Sequence, residues 1–214
     1  MSPGATGVRK RAVSESRYPI PTGIHRVQET IQRSRFITTV SHAPSATDAH
    51  AFVKQIKSEF PDATHNCWAF AAGPPGSTSH VGLSDDGEPH NTAGKPMLNA
   101  LIHSGVGEIV AVCTRYFGGV KLGTGGLSRA YASGVKLALD GLPTEARIER
   151  VGVEVVIGYE NVTELQRIMA EMEVVVDGEE YGERVLIRCA VPTAALESFA
   201  AADATSGAGS VTRR

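Results

Sequence analysis

Aromatic residues make up only 6% of this 214-residue chain, and Trp68 is its one tryptophan. Proteins that read splayed bases stack them on aromatic side chains, so nucleic-acid recognition here is expected to rest on shape and charge. Cysteine is scarce too. Cys67, Cys113 and Cys189 lie 46 and 76 residues apart, which gives neither a paired framework nor a C-x-x-C metal spacing, and they read as reduced, mostly buried thiols. No apolar run approaches the roughly 18 residues of a membrane span, and the opening "MSPGATGVRKRAVSESRYP" lacks the apolar core of a secretion signal. A cytoplasmic protein without membrane contact is expected. His25, His42, His50, His80 and His103 show no H-E-x-x-H or H-x-x-E-H spacing, so no metal centre is assigned to them.

What is present is a hydrophobic content of 42%, enough to bury a core in one large domain or two modest ones. The net charge of -2 argues against strong non-specific adhesion to nucleic acid, but it hides an asymmetry: residues 1–149 carry a net +3 and residues 150–214 a net -5. The basic half also holds most of the chemistry-bearing patterns.

The first 17 residues are small, polar and basic without periodicity, and are expected to form a disordered tail. Residues 24–43 suit a pair of strands, and Ser45 with Asp48 caps a helix whose apolar positions are Phe52, Val53, Ile56 and Phe60. The stretch "HNCWAFAAG" reads as a strand, and "VGLSDDGEP" as a strand running into an acidic turn. "GKPMLNALIHSG" reads as a helix, and "EIVAVCTRYF" as a strand buried on both faces. A helix with the stripe Leu127, Ala130, Tyr131, Gly134, Val135 and Ala138 follows. After Pro143 the order becomes β-α-β-β-α-β, the ferredoxin-like split arrangement, with Asn161 as cap of its first helix and Met169 in its core.

Five of the 23 glycines, Gly118, Gly119, Gly123, Gly125 and Gly126, crowd nine positions between the buried strand and the helix. Thr124 stands where a Walker lysine belongs, and Ser128 where a Rossmann glycine does, so neither phosphate fingerprint is met. Strand, glycine turn and helix N-terminus remain the generic geometry for offering backbone N–H groups to an anion. Arg115, Lys121, Arg129 and Lys136 surround it, the last two seven apart on one helix face. The competing reading is structural: positive φ at Gly118 and Gly119, and close helix–strand packing at Gly125 and Gly126.

"SDDGEPHNTAGKP" gathers Asp85, Asp86, Glu88, His90 and Lys95. Three carboxylates and a histidine suit Mg²⁺ or Zn²⁺, but the EF-hand spacing is absent, and an exposed turn is the favoured reading, with Asp86 or Glu88 free to pair with a loop cation. In "THNCW", His65 and Cys67 share a strand face; a half-buried cysteine beside Trp68 is favoured there over a catalytic thiol.

"HNCWAF", "SDDGEPHNTAGKPML" and "RYFGGVKLGTGGLSRAY", with "QRSRFI" at 32–37, closely resemble the signature blocks of the YigZ/IMPACT family. The resemblance covers roughly residues 18–212, including "DATSG" at 203–207. It implies an α+β protein. Residues 18–146 would form a domain of the ribosomal protein S5 domain 2-like fold, and residues 147–214 a ferredoxin-like domain similar to the last domain of translocation factor G. Eukaryotic members of the family regulate translation initiation, so a link with translation is implied. His90 and Asn91 depart from the Ser-Gly usual in the family's block and are expected to narrow a ligand site there.

The leading expectation is a non-catalytic factor, without cofactor or metal, that binds RNA or the ribosome and modulates translation. Its phosphate contacts would be the glycine-loop N–H groups with Arg115, Lys121, Arg129 and Lys136, joined by Arg33 and Arg35. One alternative is a nucleotide-dependent phosphotransferase or hydrolase that holds Mg²⁺ on Asp85, Asp86 or Glu88. The other is a protein-interaction module whose acidic second domain meets a basic partner or shields the first domain's cationic face.

Overall fold

The computed structural model describes residues 17–205 and 211–213. The expected N-terminal tail, apart from Arg17, and the end of "DATSG" lie outside the described residues. Tyr18–Arg147 forms one compact unit, and Ile148 onward, with Arg17, forms the other.

The first unit is built on a five-stranded sheet. Strand β1 (Arg17–Pro21) stands apart; β2 (His25–Ile31) and β3 (Ser34–His42) follow, then helix α1 (Ala46–Glu59). Next come β4 (His65–Ala71), β5 (Val81–Ser84), α2 (Gly94–Ile102), β6 (Ile109–Tyr116), α3 (Gly123–Asp140) and β7 (Thr144–Ile148). The sheet order is β2-β3-β6-β4-β5 with every neighbour antiparallel.

Central β6 shows why its sequence is apolar without interruption. Successive side chains of a strand point to opposite faces: Ile109, Ala111 and Cys113 meet α2 and α3, while Val110 and Val112 meet α1. Both faces are therefore dry, and alternation disappears even though the sheet is antiparallel.

Helix α1 starts where its capping pair directs. Ser45 Oγ accepts from the Asp48 N–H at 3.2 Å, and Phe52, Val53 and Ile56 are buried. All six residues of the predicted α3 stripe are buried. Strands β1 and β7 pair only with each other and carry no legible pattern. Glu108, buried with φ +50°, anchors this ribbon by accepting from the Tyr18 hydroxyl at 2.8 Å and Arg147 Nε at 3.2 Å, with His42 Nε2 at 2.7 Å.

The second unit runs β8 (Arg150–Ile157), α4 (Val162–Glu171), β9 (Val175–Tyr181), β10 (Val185–Pro192), α5 (Leu196–Thr205) and β11 (Val211–Arg213). Its sheet order, β11-β8-β10-β9, is that of a ferredoxin-like fold. Here the alternation is clean. Val153, Val155 and Ile157 of β8, with Val185, Ile187 and Cys189 of β10, pack with Leu165, Met169 and Phe199. On the opposite face Arg188 bridges Glu154 at 3.3 Å and Glu180 at 2.6 Å. Asn161 does not cap α4 with its side chain: a 3-10 turn at Tyr159–Asn161 leads into the helix, and Asn161 already has helical angles, φ -101° and ψ -6°.

Candidate phosphate site beneath the glycine loop

The end of β6 sends Arg115 to the α2/α3 face and Tyr116 to the α1 face. Arg115 is 5% exposed. Its Nη1 donates to Glu88 Oε1 at 2.6 Å, its Nη2 donates to Ser34 Oγ at 3.2 Å, and its guanidinium lies 5.4 Å from the Phe36 ring. The buried Tyr131 hydroxyl donates to the same Glu88 oxygen at 2.7 Å, and its ring meets Phe36 edge-on at 5.4 Å. Burial drives the Tyr131 hydroxyl far above its ordinary pKa, which keeps it a proton donor to Glu88. A buried ion pair needs such further hydrogen bonds to offset its desolvation.

One atom of this cluster is left over. Arg115 Nε is buried and has no hydrogen-bond partner among the described residues. Arg115 also lines a pocket of about 380 Å³ with Glu88, Pro89, Phe117, Lys121 and the first residues of α3, Gly123 and Thr124. Helix α3, with Leu122 at its N-cap position, has no side-chain cap and no acidic residue in its first turn, so its leading N–H groups have no side-chain acceptor among the described residues.

The three carboxylates of the acidic turn do not converge, and among the described residues no group of three His, Cys, Asp or Glu side chains is placed to hold a metal. Asp85 accepts from the N–H groups of Asn91, Ala93 and Gly94 at 2.8–2.9 Å, capping α2 from eight residues upstream of its own N-cap position. Asp86 takes Lys57 Nζ at 2.6 Å and the Asn66 N–H at 2.7 Å. Glu88 is 8% exposed rather than on an open turn, because Arg115 and Tyr131 draw it inward. A Mg²⁺ held by these groups would have to break all three sets of contacts, so the turn gives no support to phosphoryl-transfer chemistry.

Burial works to raise the Asp85 pKa, but the three backbone donors outweigh it and hold the carboxyl below the usual aspartate range. Asp85→Ala is expected to lose about 1–2 kcal/mol of stability at neutral pH, read from the urea midpoint. A depressed carboxyl pKa stabilises above the unfolded value and loses that contribution as pH falls through the folded one. The gap between wild type and variant therefore narrows below pH ~4.

Two further expectations need correcting. Cys67 is fully buried, donating to the Asp85 carbonyl oxygen at 2.9 Å, and burial drives its thiol pKa up. A thiol so protonated is no nucleophile. His90 projects into solvent, its side chain 89% exposed, and Asn91 adopts the left-handed φ of +61° that suits a glycine. Neither lines the pocket, so neither narrows it.

The structure spreads the proposed cations rather than gathering them. Arg115, Lys121 and Gly123 meet at the pocket. Exposed Arg33 sits in the β2–β3 turn with its carbonyl against Gly118, so close that a Cβ there would lie 1.9 Å from Arg33 O. Arg35 departs to the other face: it stacks over Tyr116 at 4.2 Å, on the α1 side of the sheet, and does not join the pocket's cations. Arg129 and Lys136 share a shallow groove further along α3. Positive φ belongs to Gly119 (+85°) and Gly123 (+71°) rather than Gly118, and a Cβ at Gly125, where close helix–strand packing was expected, would meet only Arg129 Nη1 at 3.5 Å.

Sequence reasoning missed Ser34, Phe117, Thr124 and the role of Tyr131. A signal existed for Tyr131, since a buried tyrosine in an apolar stripe needs a partner for its hydroxyl. Ser34 and Phe36, two apart in "QRSRF" on a strand, necessarily share one face.

A buried arginine–glutamate pair under a glycine loop, on an antiparallel sheet with helices on both faces, lies within residues 32–139, which match the family model of the Impact N-terminal domain. Residues 155–208 match a domain of unknown function, DUF1949. The chain belongs to the IMPACT family. It is 42% identical over 182 residues to the IMPACT family member YigZ of Escherichia coli (strain K12), covering 85% of this chain and 89% of that protein. It is 40% identical to an IMPACT family member of Haemophilus influenzae, covering 85% and 88%. A crystal structure of a hypothetical protein, 40% identical, superposes with a TM-score of 0.67 over 92% of this chain and 96% of that one. No helix among the described residues is long and apolar enough to cross a membrane.

Proposed function

We propose that this protein is a non-catalytic cytoplasmic factor that binds RNA or the ribosome through phosphate contacts and modulates translation. The observation that carries the reading is Arg115 Nε, a buried cationic donor without a partner among the described residues, in a pocket that also holds Lys121 and the start of α3, which no side chain caps. An anion supplies what those groups lack. Arg33 at the adjoining turn and Arg129 and Lys136 along α3 are exposed, and extend positive charge beyond the pocket. The translational role rests on what the family resemblance implies.

Filter binding of the full chain to ribosomal RNA at two salt concentrations tests this. Affinity is expected to fall steeply with salt, and Lys121→Ala to weaken binding and lower the salt slope by about 1. Absent binding, or binding indifferent to both salt and Lys121→Ala, would overturn it.

A further inference from the structure

We infer that the pocket at the start of α3 takes one nucleotide by its 5′-phosphate, as a phosphomonoester with its base on Phe117, rather than an internal phosphodiester. This rests on the preceding reading only in treating the start of α3 as a phosphate site.

Charge at the pocket favours a terminal phosphate. Arg115 and Glu88 pair at 2.6 Å and cancel, which leaves the Lys121 ammonium and the helix end, together about +1.5. A phosphomonoester carries about -1.5 to -2 at neutral pH, against about -1 for a diester in a chain. The terminal group matches the pocket; the internal one leaves it cationic.

The pocket's donors favour it as well. Arg115 Nε and the first N–H groups of α3 need acceptors. A monoester offers three terminal oxygens, whereas a diester offers two and continues in both directions. A volume of about 380 Å³ sits at the lower end of small-ligand pockets, suited to one nucleotide rather than a strand.

An aromatic ring stands beside the cradle. Phe117 is 47% exposed on the pocket wall, with the Arg115 guanidinium 5.5 Å from its ring. A bulky apolar ring left half in solvent beside a phosphate cradle offers a sequence-tolerant stacking face for a base. Leu122 and Leu127 complete the apolar side of the pocket.

Two sources supply this chemistry, a free nucleoside 5′-monophosphate and the 5′ end of an RNA. The experiment measures binding of the full chain to one short single-stranded RNA bearing either a 5′-phosphate or a 5′-hydroxyl, and to AMP, GMP and inorganic phosphate. The expected result is at least tenfold tighter binding of the phosphorylated end. Phe117→Ala is expected to weaken that form preferentially. The decisive variant is Thr124→Asp, in the first turn of α3: its carboxylate accepts the free N–H groups and favours the helix dipole, so the melting temperature holds or rises. The same charge repels phosphate, and the preference for the phosphorylated end disappears.

Equal binding of the two RNAs, unchanged by Thr124→Asp, overturns the inference while the broader RNA reading stands. Binding of AMP or GMP abolished by Thr124→Asp, with neither RNA bound, supports the pocket's ligand class and removes the RNA reading. Inorganic phosphate binding as tightly as the nucleotides overturns the role of Phe117 and with it the nucleotide assignment.

Discussion

Replacing Glu88 by alanine is expected to destabilise the N-terminal domain by about 3–5 kcal/mol, the range for removing one partner of a buried ion pair. Arg115 is 5% exposed and cannot shed its charge, because guanidinium does not deprotonate in proteins. Its Nη1 would lose Glu88, leaving Ser34 Oγ at 3.2 Å as its remaining hydrogen-bond partner, and the buried Tyr131 hydroxyl would lose its acceptor at the same time. For a domain of this size the loss corresponds to a fall of roughly 10–20 °C in its thermal transition, followed by calorimetry on the full chain. The double variant Glu88→Leu with Arg115→Met is expected to recover much of that loss, since an apolar pair removes both charges together. A Glu88→Ala protein within 1 kcal/mol of wild type would mean that the pair is not buried as described.

The second large effect lies at Gly118. A Cβ there would stand 1.9 Å from the Arg33 carbonyl oxygen and 2.1 Å from its carbon, and backbone cannot rotate aside as a side chain can. Gly118→Ala is expected to cost about 2–4 kcal/mol by parting the glycine loop from the β2–β3 turn. It would also break the bond from the Gly118 N–H to Ser34 Oγ at 3.2 Å, which ties the loop to an atom that holds Arg115. The neighbouring glycines make the test specific. Gly119 has φ +85° and open space around it, so Gly119→Ala carries only the left-handed penalty of roughly 1–2 kcal/mol. Gly125 is helical and unobstructed, and alanine there is expected to stabilise by about 1 kcal/mol. Urea midpoints for the three variants should fall in that order; equal effects would contradict the close approach at Gly118.

Much of the architecture was legible along the chain. The α3 stripe, the capping pair Ser45 and Asp48, and the dry strand β6 each announce themselves within a few residues. Helical and strand periodicity and capping are short-range consequences of backbone geometry. The β-α-β-β-α-β order of the second domain was legible because its sheet is dry on one face only, and Val153, Val155 and Ile157 alternate with more exposed neighbours. The β1–β7 ribbon was not, because strands of five residues that pair across more than a hundred residues carry no local signature.

The candidate site divides differently. Its residue types were visible in the family blocks, but their partners were not. Three carboxylates in four positions look equivalent in sequence, yet Asp85 caps a helix, Asp86 holds Lys57, and only Glu88 enters the core. The sequence by itself therefore determined the elements other than the β1–β7 ribbon, the family and the presence of a cationic glycine loop, because those depend on neighbours a turn or a pleat away. Tertiary structure alone decided that Arg115 meets Glu88 at 27 positions' distance and Ser34 at 81, while Tyr131 meets Glu88 at 43. Strand register and sheet face choose those contacts, and they are what leave one guanidinium nitrogen, at the pocket by the start of α3, without a partner among the described residues.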